Sequence, residues 1–154
     1  MPSQRRRIEL TPEEQRDLIA AARTVQVASI GPHGWPHLVP MWFGVDEAGR
    51  IVFTTYGTSQ KVRNLERDPR VTALVEAGGV YEELRGLVIE GEAEIVRDPY
   101  VVRHTGALVT AHRSGTPAPP LDRTGPPPET KRVTIRIHPR RTRSWDHRKI
   151  GARP

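Results

Sequence analysis

Three short runs of strand-forming residues, at 25–30, 37–45 and 51–56, follow one another with only tight-turn sequences between them. Residues 31–34 read Gly-Pro-His-Gly and residues 46–49 read Asp-Glu-Ala-Gly, and both sequences are typical of turns. Connections this short join antiparallel neighbours, because a parallel crossover needs about a dozen residues or more. The sequence therefore predicts an antiparallel meander and excludes a parallel βαβ unit in this region.

Three later segments, 71–75, 89–95 and 133–137, alternate apolar and polar side chains, as half-buried strands do. The polar positions of residues 89–95 are glutamates, which predicts a solvated acidic face on that strand. Pro139 follows the last segment and is expected to end it. The strands predict a mainly-β fold with flanking helices, and a six-stranded antiparallel barrel is favoured because closure removes the edges of a sheet.

Signals at helix ends predict three helices, over residues 11–23, 60–67 and 98–113. Thr11 is a suitable N-cap for the first helix, with Pro12 at its first position and Glu14 completing a capping box. Ser59 is a suitable N-cap for the second helix. Asp68-Pro69 is expected to end that helix, because proline disfavours a helical residue before it.

The chain of 154 residues is long enough for one compact core but short for two. We expect a flexible N-terminus at residues 1–10, a single domain over residues 11–146 and a basic C-terminal tail at residues 147–154. Within the domain, residues 114–129 hold six prolines and two glycines, a composition that precludes regular structure.

The absence of cysteine restricts the chemistry of the chain. It excludes a disulfide scaffold, a thiolate nucleophile and any cysteine-ligated zinc or iron–sulfur centre. The longest apolar runs are about half a membrane span, and no charged-then-apolar leader is recognisable. We therefore expect a soluble cytoplasmic protein with no membrane partner.

Positive charge is concentrated near the C-terminal end. The formal net charge is +6, and residues 131–154 hold nine of the 24 Lys and Arg residues beside a single Asp. Basic tails often bind nucleic-acid phosphates, so a nucleic-acid-binding module is one hypothesis. Because no reading helix is evident and Trp145 is the only Phe, Trp or Tyr residue of that region, we favour a protein with no nucleic-acid partner.

Two cations lie close to the predicted start of the helix at 60–67. A helix N-terminus disfavours cations, because its free amides already carry positive potential, unless an anion binds there. Ser59, Lys61 and Arg63, together with the free N–H groups, therefore predict a phosphate site. The alternative is a solvated helix on which Arg63 pairs with Glu66.

Three stretches of the sequence resemble the pyridoxamine 5′-phosphate oxidase-like family. They are residues 37–43 (His-Leu-Val-Pro-Met-Trp-Phe), residues 51–55 (Ile-Val-Phe-Thr-Thr) and residues 59–71, which begin Ser-Gln-Lys-Val-Arg-Asn-Leu and end Asp-Pro-Arg-Val. The chain is most similar to the branch that uses the deazaflavin coenzyme F420. The resemblance implies a split β-barrel of the FMN-binding type and a homodimer with cofactor sites at the subunit interface.

The resemblance also implies which residues bind the cofactor. It assigns residues to the phosphate, to the ring system and to the polyol chain, and it adds one C-terminal tryptophan that contacts the cofactor in related members. The phosphate residues are Ser59, Lys61 and Arg63, with Asn64 at the same corner; the ring is lined by Val39, Pro40, Met41 and Trp42; Thr54 and Thr55 offer hydrogen bonds to the ring or polyol; and the C-terminal residue is Trp145.

Coenzyme F420 and FMN both carry a phosphate group and a three-ring system, so the predicted site suits either. We favour F420, whose oligoglutamate tail a basic groove would attract, and keep FMN as the alternative. The leading hypothesis is an F420-dependent oxidoreductase that transfers a hydride between the reduced cofactor and a small organic substrate. A flavin- or deazaflavin-binding protein without turnover is the competing hypothesis.

No catalytic residue is assigned by the sequence. Tyr56 and His37 are candidate proton donors to a reduced substrate, although such residues are more often packing groups. His33 and His37 have the His-x-x-x-His spacing of metal ligands on a helix, but Gly34 and Pro36 exclude a helix there. We therefore expect no metal site.

Overall fold

The structure, a computed structural model, describes residues 3–151. The helices are α1 (Gln4–Arg7), α2 (Pro12–Ala21), α3 (Gln60–Arg67) and α4 (Pro99–Ser114). The strands are β1 (Thr24–Ile30), β2 (Pro36–Trp42), β3 (Gly44–Val45), β4 (Ile51–Tyr56), β5 (Arg70–Ala77), β6 (Arg85–Val96) and β7 (Arg132–Asp146). Two short 3-10 turns, Tyr81–Glu83 and His147–Lys149, complete the described elements.

The strands form one antiparallel sheet in the order β2-β1-β5-β6-β7-β4-β3. Because β2 and β3 are consecutive in the chain but lie at opposite ends of this order, the sheet curls on itself into a half-barrel. The curl leaves a split between β2 and β4. The predicted mainly-β split-barrel fold with flanking helices is confirmed.

The sheet has seven strands rather than the six that we predicted, because the expected strand at 37–45 is two strands. β2 pairs with β1 along its whole length, whereas β3 pairs only with β4. Between β2 and β3 the Phe43 ring is fully buried and contacts the ring of His112, with 4.3 Å between centroids. The chain therefore changes its pairing partner at Phe43, and this change brings the two edges of the sheet together.

A single apolar core lies inside the curl and is shared by the sheet, α2 and α3. The inward-facing strand residues are aliphatic apart from Phe53, and Leu18 of α2 packs against them. Val62 and Leu65 bury the inner face of α3 in the same core. This packing holds the first turn of α3 beside the end of β4.

The end signals predicted all three longer helices correctly. Thr11 and Glu14 form the reciprocal capping box of α2, and Asp98 caps α4 by accepting a hydrogen bond from the Tyr100 amide. Ser59 occupies the N-cap position of α3, but its side chain makes no capping hydrogen bond. Its hydroxyl is therefore free to face the end of β4.

The last strand does not end at Pro139, contrary to our prediction. β7 continues through Pro139 to Asp146, and the register shifts opposite Glu90 and Gly91 of β6. The shift leaves Arg140 as an extra residue on β7, which is the arrangement of a β-bulge. A bulge accommodates a residue that has no amide hydrogen to donate to the sheet.

The glutamates of β6 lie on a solvent-accessible face of the strand, as predicted, and they are ion-paired there with side chains of β7. Each carboxylate meets basic side chains of β7, and Arg141 and Arg143 hold the pKa of Glu90 below its usual range. Much of the C-terminal positive charge is therefore neutralised within the sheet. The pairs are Glu90 with Arg141 and Arg143, Glu92 with Arg140, and Glu94 with Arg136 and His138.

Part of the N-terminus that we expected to be flexible has secondary structure and contacts with the end of β7. Residues 4–7 form α1, Leu10 is buried, and the Ile8 carbonyl accepts a hydrogen bond from the Asp146 amide at 2.7 Å. At the other end, Lys149 donates to Glu14 of α2 at 2.6 Å. Residues 1–2 of the expected flexible N-terminus and residues 152–154 of the expected basic tail lie outside the described residues.

The proline-rich segment has no regular secondary structure, as predicted, and it packs along α4. The Tyr100 hydroxyl donates to the Gly125 carbonyl at 2.7 Å, and Arg103 donates to the Asp122 carbonyl at 2.7 Å. Within residues 3–151, no helix is both long enough and apolar enough to cross a membrane.

The packing of α4 against strands β3 and β4 predicts opposite effects on stability for two glycine substitutions. At Gly44 an added Cβ would lie 2.7 Å from the backbone of Leu108, whereas at Gly106 it would meet nothing within 4 Å. We expect Gly44→Ala to destabilise the protein by about 1–3 kcal/mol through overpacking. Gly106→Ala should stabilise it by up to about 1 kcal/mol, since alanine is the better helix former. Urea unfolding measures both, and a similar change in the two variants would contradict this packing.

Candidate functional site

Two of the predicted phosphate-site side chains, Ser59 and Lys61, meet Thr55, which we predicted for the ring or polyol chain, where β4 ends and α3 begins. The Lys61 ammonium donates a hydrogen bond to the Thr55 hydroxyl at 3.0 Å, and the Ser59 hydroxyl lies 3.4 Å from that same oxygen. Thr55 is buried, while Lys61 and Ser59 are half-buried. The Ser59 side chain does not cap α3. The Ser59 hydroxyl, the Lys61 ammonium and the free amides of the first turn are therefore all available to one ligand.

Arg132, at the start of β7, is a further cation of this site that the sequence reasoning did not identify. β4 and β7 pair so that Tyr56 lies opposite Arg132, and the guanidinium carbon is 4.4 Å from the centre of the Tyr56 ring. Burial lowers the pKa of the Lys61 ammonium, and the positive charge of Arg132 lowers it further. A bound anion would oppose the effect of Arg132 on Lys61.

The cations of this site differ from those of the β6–β7 ladder in having no carboxylate partner. Within the described part of the chain, Lys61, Arg63 and Arg132 form no ion pair. The alternative pairing of Arg63 with Glu66 does not occur, because Glu66 binds Arg97 at 2.5 Å. Uncompensated positive charge therefore lies at the end of β4, and it favours an anionic ligand there.

The two threonines of β4 do not act together, because consecutive side chains of a strand point to opposite faces. Thr55 faces the core side and contacts Lys61. Thr54 faces α4 and lines a groove beside Val102 and Arg103. Thr55 therefore joins the polar site directly, whereas Thr54 belongs to the neighbouring groove.

The ring-lining residues expected on β2 also divide between two faces. Val39 and Met41 are half-buried, whereas Pro40 and Trp42 are exposed. Gly44 of β3 pairs with Val52 of β4, while β2 is the strand at the opposite end of the sheet order, so β2 borders the split on one side and β4, with the short β3, on the other. Residues of β2 therefore lie across the split from the strand that carries Thr55.

Trp42 is held by a side chain of α4 that the sequence did not suggest. The guanidinium carbon of Arg113 lies 3.8 Å from the centre of a Trp42 ring, which is the geometry of a cation–π contact. Trp42 is nevertheless 57% exposed. Only one face of the indole is covered by Arg113, and the remaining surface is open to a ligand.

The side chain of Asn64 is bonded within the protein and is not accessible to a ligand. Its side chain is fully buried, donates to the Ser29 hydroxyl at 3.1 Å and accepts from the Gln60 amide at 2.7 Å. Arg67 contacts the same Asn64 oxygen and donates to the Ile30 carbonyl at 2.6 Å. Asn64 and Arg67 thus attach α3 to β1 and leave the ligand site to the first turn of the helix.

Trp145 lies far along β7 from the polar site of its own chain. It pairs with Gly86, whose missing side chain gives room for the indole ring. The interval from Arg132 to Trp145 corresponds to about 40 Å of extended strand, at about 3.3 Å per residue. Within one chain the structure does not bring Trp145 to Lys61.

The candidate proton donors lie in different environments. Tyr56 is 56% exposed, with Arg132 over its ring. His37 lies on edge strand β2 opposite Ser29, and its Nδ1 atom is buried without a hydrogen-bond partner. Across residues 3–151, no cluster of three or more His, Asp or Glu side chains is arranged to hold a metal ion.

The curled antiparallel sheet, open between β2 and β4, defines the split-barrel class of proteins. The chain belongs to the pyridoxamine 5′-phosphate oxidase family, since the family model of that name matches residues 11–146. A curated relative is the 5a,11a-dehydrotetracycline/5a,11a-dehydrooxytetracycline reductase of Streptomyces rimosus. It is 33% identical over 125 residues, which are 78% of this chain and 72% of that protein.

Two solved structures extend the comparison. A conserved hypothetical protein of Mycobacterium tuberculosis is 42% identical with a TM-score of 0.83, over 99% of this chain and 95% of that one. An F420 reductase is 28% identical with a TM-score of 0.62, over 86% of this chain and 98% of that one. The fold and the family are therefore shared with enzymes of reductive chemistry.

The environment of Lys61 predicts how its ammonium titrates. The chain has only three lysines, so reductive methylation with ¹³C-formaldehyde gives few lysine resonances to assign. We expect the Lys61 resonance to titrate below the value for a free lysine, because burial and Arg132 lower its pKa. Arg132→Gln should raise the midpoint, whereas Arg16→Gln on α2 should leave it unchanged. An identical midpoint in the Arg132→Gln variant would remove Arg132 from the site.

Proposed function

We propose that this protein is an F420-dependent reductase, in which a hydride passes between the reduced cofactor and a small organic substrate. The observation that carries the proposal is the half-buried Lys61 beside Thr55 and Arg132, positively charged and without a carboxylate partner. The reductase relative and the F420 reductase of the same fold support the choice of chemistry.

The residues present fit the phosphate of such a cofactor. Lys61 and Arg132 supply charge, the Ser59 and Thr55 hydroxyls supply hydrogen bonds, and the free amides of α3 point to the same place. Arg63 is exposed on the same helix and is a further candidate for the phosphate. FMN carries a phosphate as well, so it is the alternative ligand of these residues.

The split between β2 and β4 is the place for the ring system in this proposal. Val39 and Met41 offer half-buried apolar surface on one side, and Trp42, held by Arg113, offers an aromatic face at the end of the strand. When bound, the reduced cofactor supplies the hydride, while the protein orients the reactants and excludes water. Tyr56 is the better placed proton donor because it is exposed beside Arg132, whereas His37 is half-buried on the edge strand.

The same proposal includes a homodimer. Leu38 and Trp42 are 65% and 57% exposed on edge strand β2, and exposed apolar surface of this kind favours an interface. A second copy would also supply Trp145 to a cofactor site that its own chain does not bring to Lys61. Both features support an interface through the split side of the barrel.

Titration with F420 and with FMN, followed by fluorescence, tests the cofactor. We expect micromolar binding of F420, and we expect Lys61→Ala to weaken it about 10- to 150-fold. That range corresponds to the loss of about 1.5–3 kcal/mol for a charged hydrogen bond. Arg70→Ala is the matched control, because Arg70 follows the same helix but is already paired with Asp68 at 2.7 Å.

Three outcomes of this titration are decisive. Binding of neither cofactor by the wild-type protein would overturn the proposal, and binding of FMN alone would replace F420 with FMN. Equal losses in the Lys61→Ala and Arg70→Ala variants would show that affinity follows general charge and not the Lys61 site. Reduction of a test substrate by reduced F420 then separates the enzyme from a binding protein without turnover.

Light scattering tests the homodimer. We expect the wild-type protein at micromolar concentration to have twice the chain mass of 17.3 kDa. Leu38→Arg should shift it towards the monomer, because a charge would be buried at the interface. Tyr81→Arg, at an exposed residue of the first 3-10 turn, is the control and should leave the mass unchanged. A monomeric wild-type protein would contradict the dimer.

A further inference from the structure

A groove of about 350 Å³ lies between β4, α4 and the end of the proline-rich segment. We propose that it binds the reducible substrate as an apolar molecule carrying an acidic group, an inference that rests on the function proposed above. The acidic group is bound by Arg103 and Arg132, and the apolar body lies over Gly106 of α4. The lining of the groove includes Thr54, Val102, Arg103, Gly106, Pro128 and Arg132.

The outer wall of the groove belongs to the proline-rich segment, which α4 holds in place. Three side chains from the first two turns of α4 donate to or contact its carbonyl groups at 2.7–2.9 Å, and a fourth contact joins Arg123 to Asp98 at 2.7 Å. A wall that is already fixed loses little conformational entropy when a ligand binds. The three contacts are Tyr100 with Gly125, Arg103 with Asp122 and His104 with Pro119.

The floor of the groove is open because α4 carries a glycine there. An added Cβ at Gly106 would meet nothing within 4 Å, so the space above the helix is empty of protein atoms. Glycine inside a helix costs about 1 kcal/mol relative to alanine, and nothing in the packing of Gly106 requires it. Together with Val102 and Pro128, the bare backbone gives an apolar surface for the body of a ligand.

The charge of the groove favours an acid. Arg103 and Arg132 both line it, and neither forms an ion pair among residues 3–151, although the charge of Arg103 also acts on Asp122 outside the groove. Glu129 is its single acidic lining residue, so one positive charge is left uncompensated. A planar guanidinium binds a carboxylate through two parallel hydrogen bonds, which gives direction as well as attraction.

The groove adjoins the proposed cofactor site at two points. Arg132 lines the groove and also acts on Lys61, and Thr54 is the chain neighbour of Thr55. In addition, Gly106 and Arg113 are two helical turns apart on one face of α4, about 10 Å along the axis. Since Arg113 covers Trp42, α4 connects the groove to the aromatic residue at the split.

The volume limits the size of the ligand. A groove of about 350 Å³ is near the lower end of the range of roughly 300–1,000 Å³ for small-molecule sites. It therefore accommodates a molecule of two or three rings, or the acidic end of a larger one. A sulfonated anilinonaphthalene fluorophore has this size, an apolar body and one permanent negative charge, so it is a suitable probe.

The experiment titrates the full-length protein with this fluorophore and with its uncharged analogue, N-phenylnaphthylamine. We expect micromolar binding of the sulfonate, and we expect Gly106→Leu to weaken both probes at least tenfold by filling the groove. Arg132→Gln should weaken the sulfonate at least fivefold while changing the uncharged probe less than twofold. Gly79→Leu, at an exposed glycine that likewise has open space and lies outside the groove, is the matched control and should change neither.

The variants are chosen so that misfolding does not decide the outcome. Gly106→Leu adds a side chain where there is open space and a better helix former than glycine, so the variant is expected to fold. Its circular dichroism and its affinity for F420 should equal those of the wild-type protein. An affinity for the sulfonate within twofold of wild type in the Gly106→Leu variant would overturn the inference.

Competition with the cofactor separates this inference from the proposed function. At saturating F420 the sulfonate should stay bound, weakened about fivefold because the cofactor phosphate shares Arg132, and in the Lys61→Ala variant it should bind as it does to the wild-type protein. Its displacement by F420, or its loss in Lys61→Ala, would show that the probe binds the cofactor site and would overturn the inference. Groove binding in a protein that binds neither F420 nor FMN would uphold an acid site and contradict the proposed reductase.

Discussion

The pairing of β7 with two different strands is the constraint on which the rest of the structure depends. Residues 132–136 of β7 pair with β4 and residues 134–146 pair with β6, so a single strand joins the two halves of the half-barrel. The bulge at Pro139 lets the strand continue around the curl. The same pairing places Arg132 opposite Tyr56, and thereby beside Lys61.

The positive charge of the chain has two separate physical roles. Along β6 and β7 the arginines are paired with glutamates, so they join adjacent strands and leave little attraction for an external polyanion. At the end of β4 the cations lack such partners, and one of them is half-buried. The contrast explains why net charge alone is a poor guide to the ligand. What matters is which cations the fold leaves uncompensated.

Local sequence signals succeeded where a short segment determines its own structure. The capping box of Thr11 and Glu14 and the termination of α3 before Pro69 depend on neighbouring residues alone. The same approach was wrong at Pro139, because the sheet there forms a bulge, and at 37–45, because the buried Phe43 interrupts the strand. Both errors arise from partners distant in the chain. Asn64 illustrates the same limit, since only the packing of α3 on β1 shows that its amide is already bonded to Ser29.

The sequence by itself determined the antiparallel fold class, the helix that begins after Ser59 and the presence of Lys61 and Arg63 at its start. These features follow from turn lengths, alternation and helix-end chemistry, which act over a few residues. Only the tertiary structure decided that Arg132 joins Lys61, that Thr54 and Thr55 face different sites, and that Arg140, Arg141 and Arg143 are already paired. Electrostatic environment depends on charges that are close in space, and the register of β4, β6 and β7 determines which charges those are.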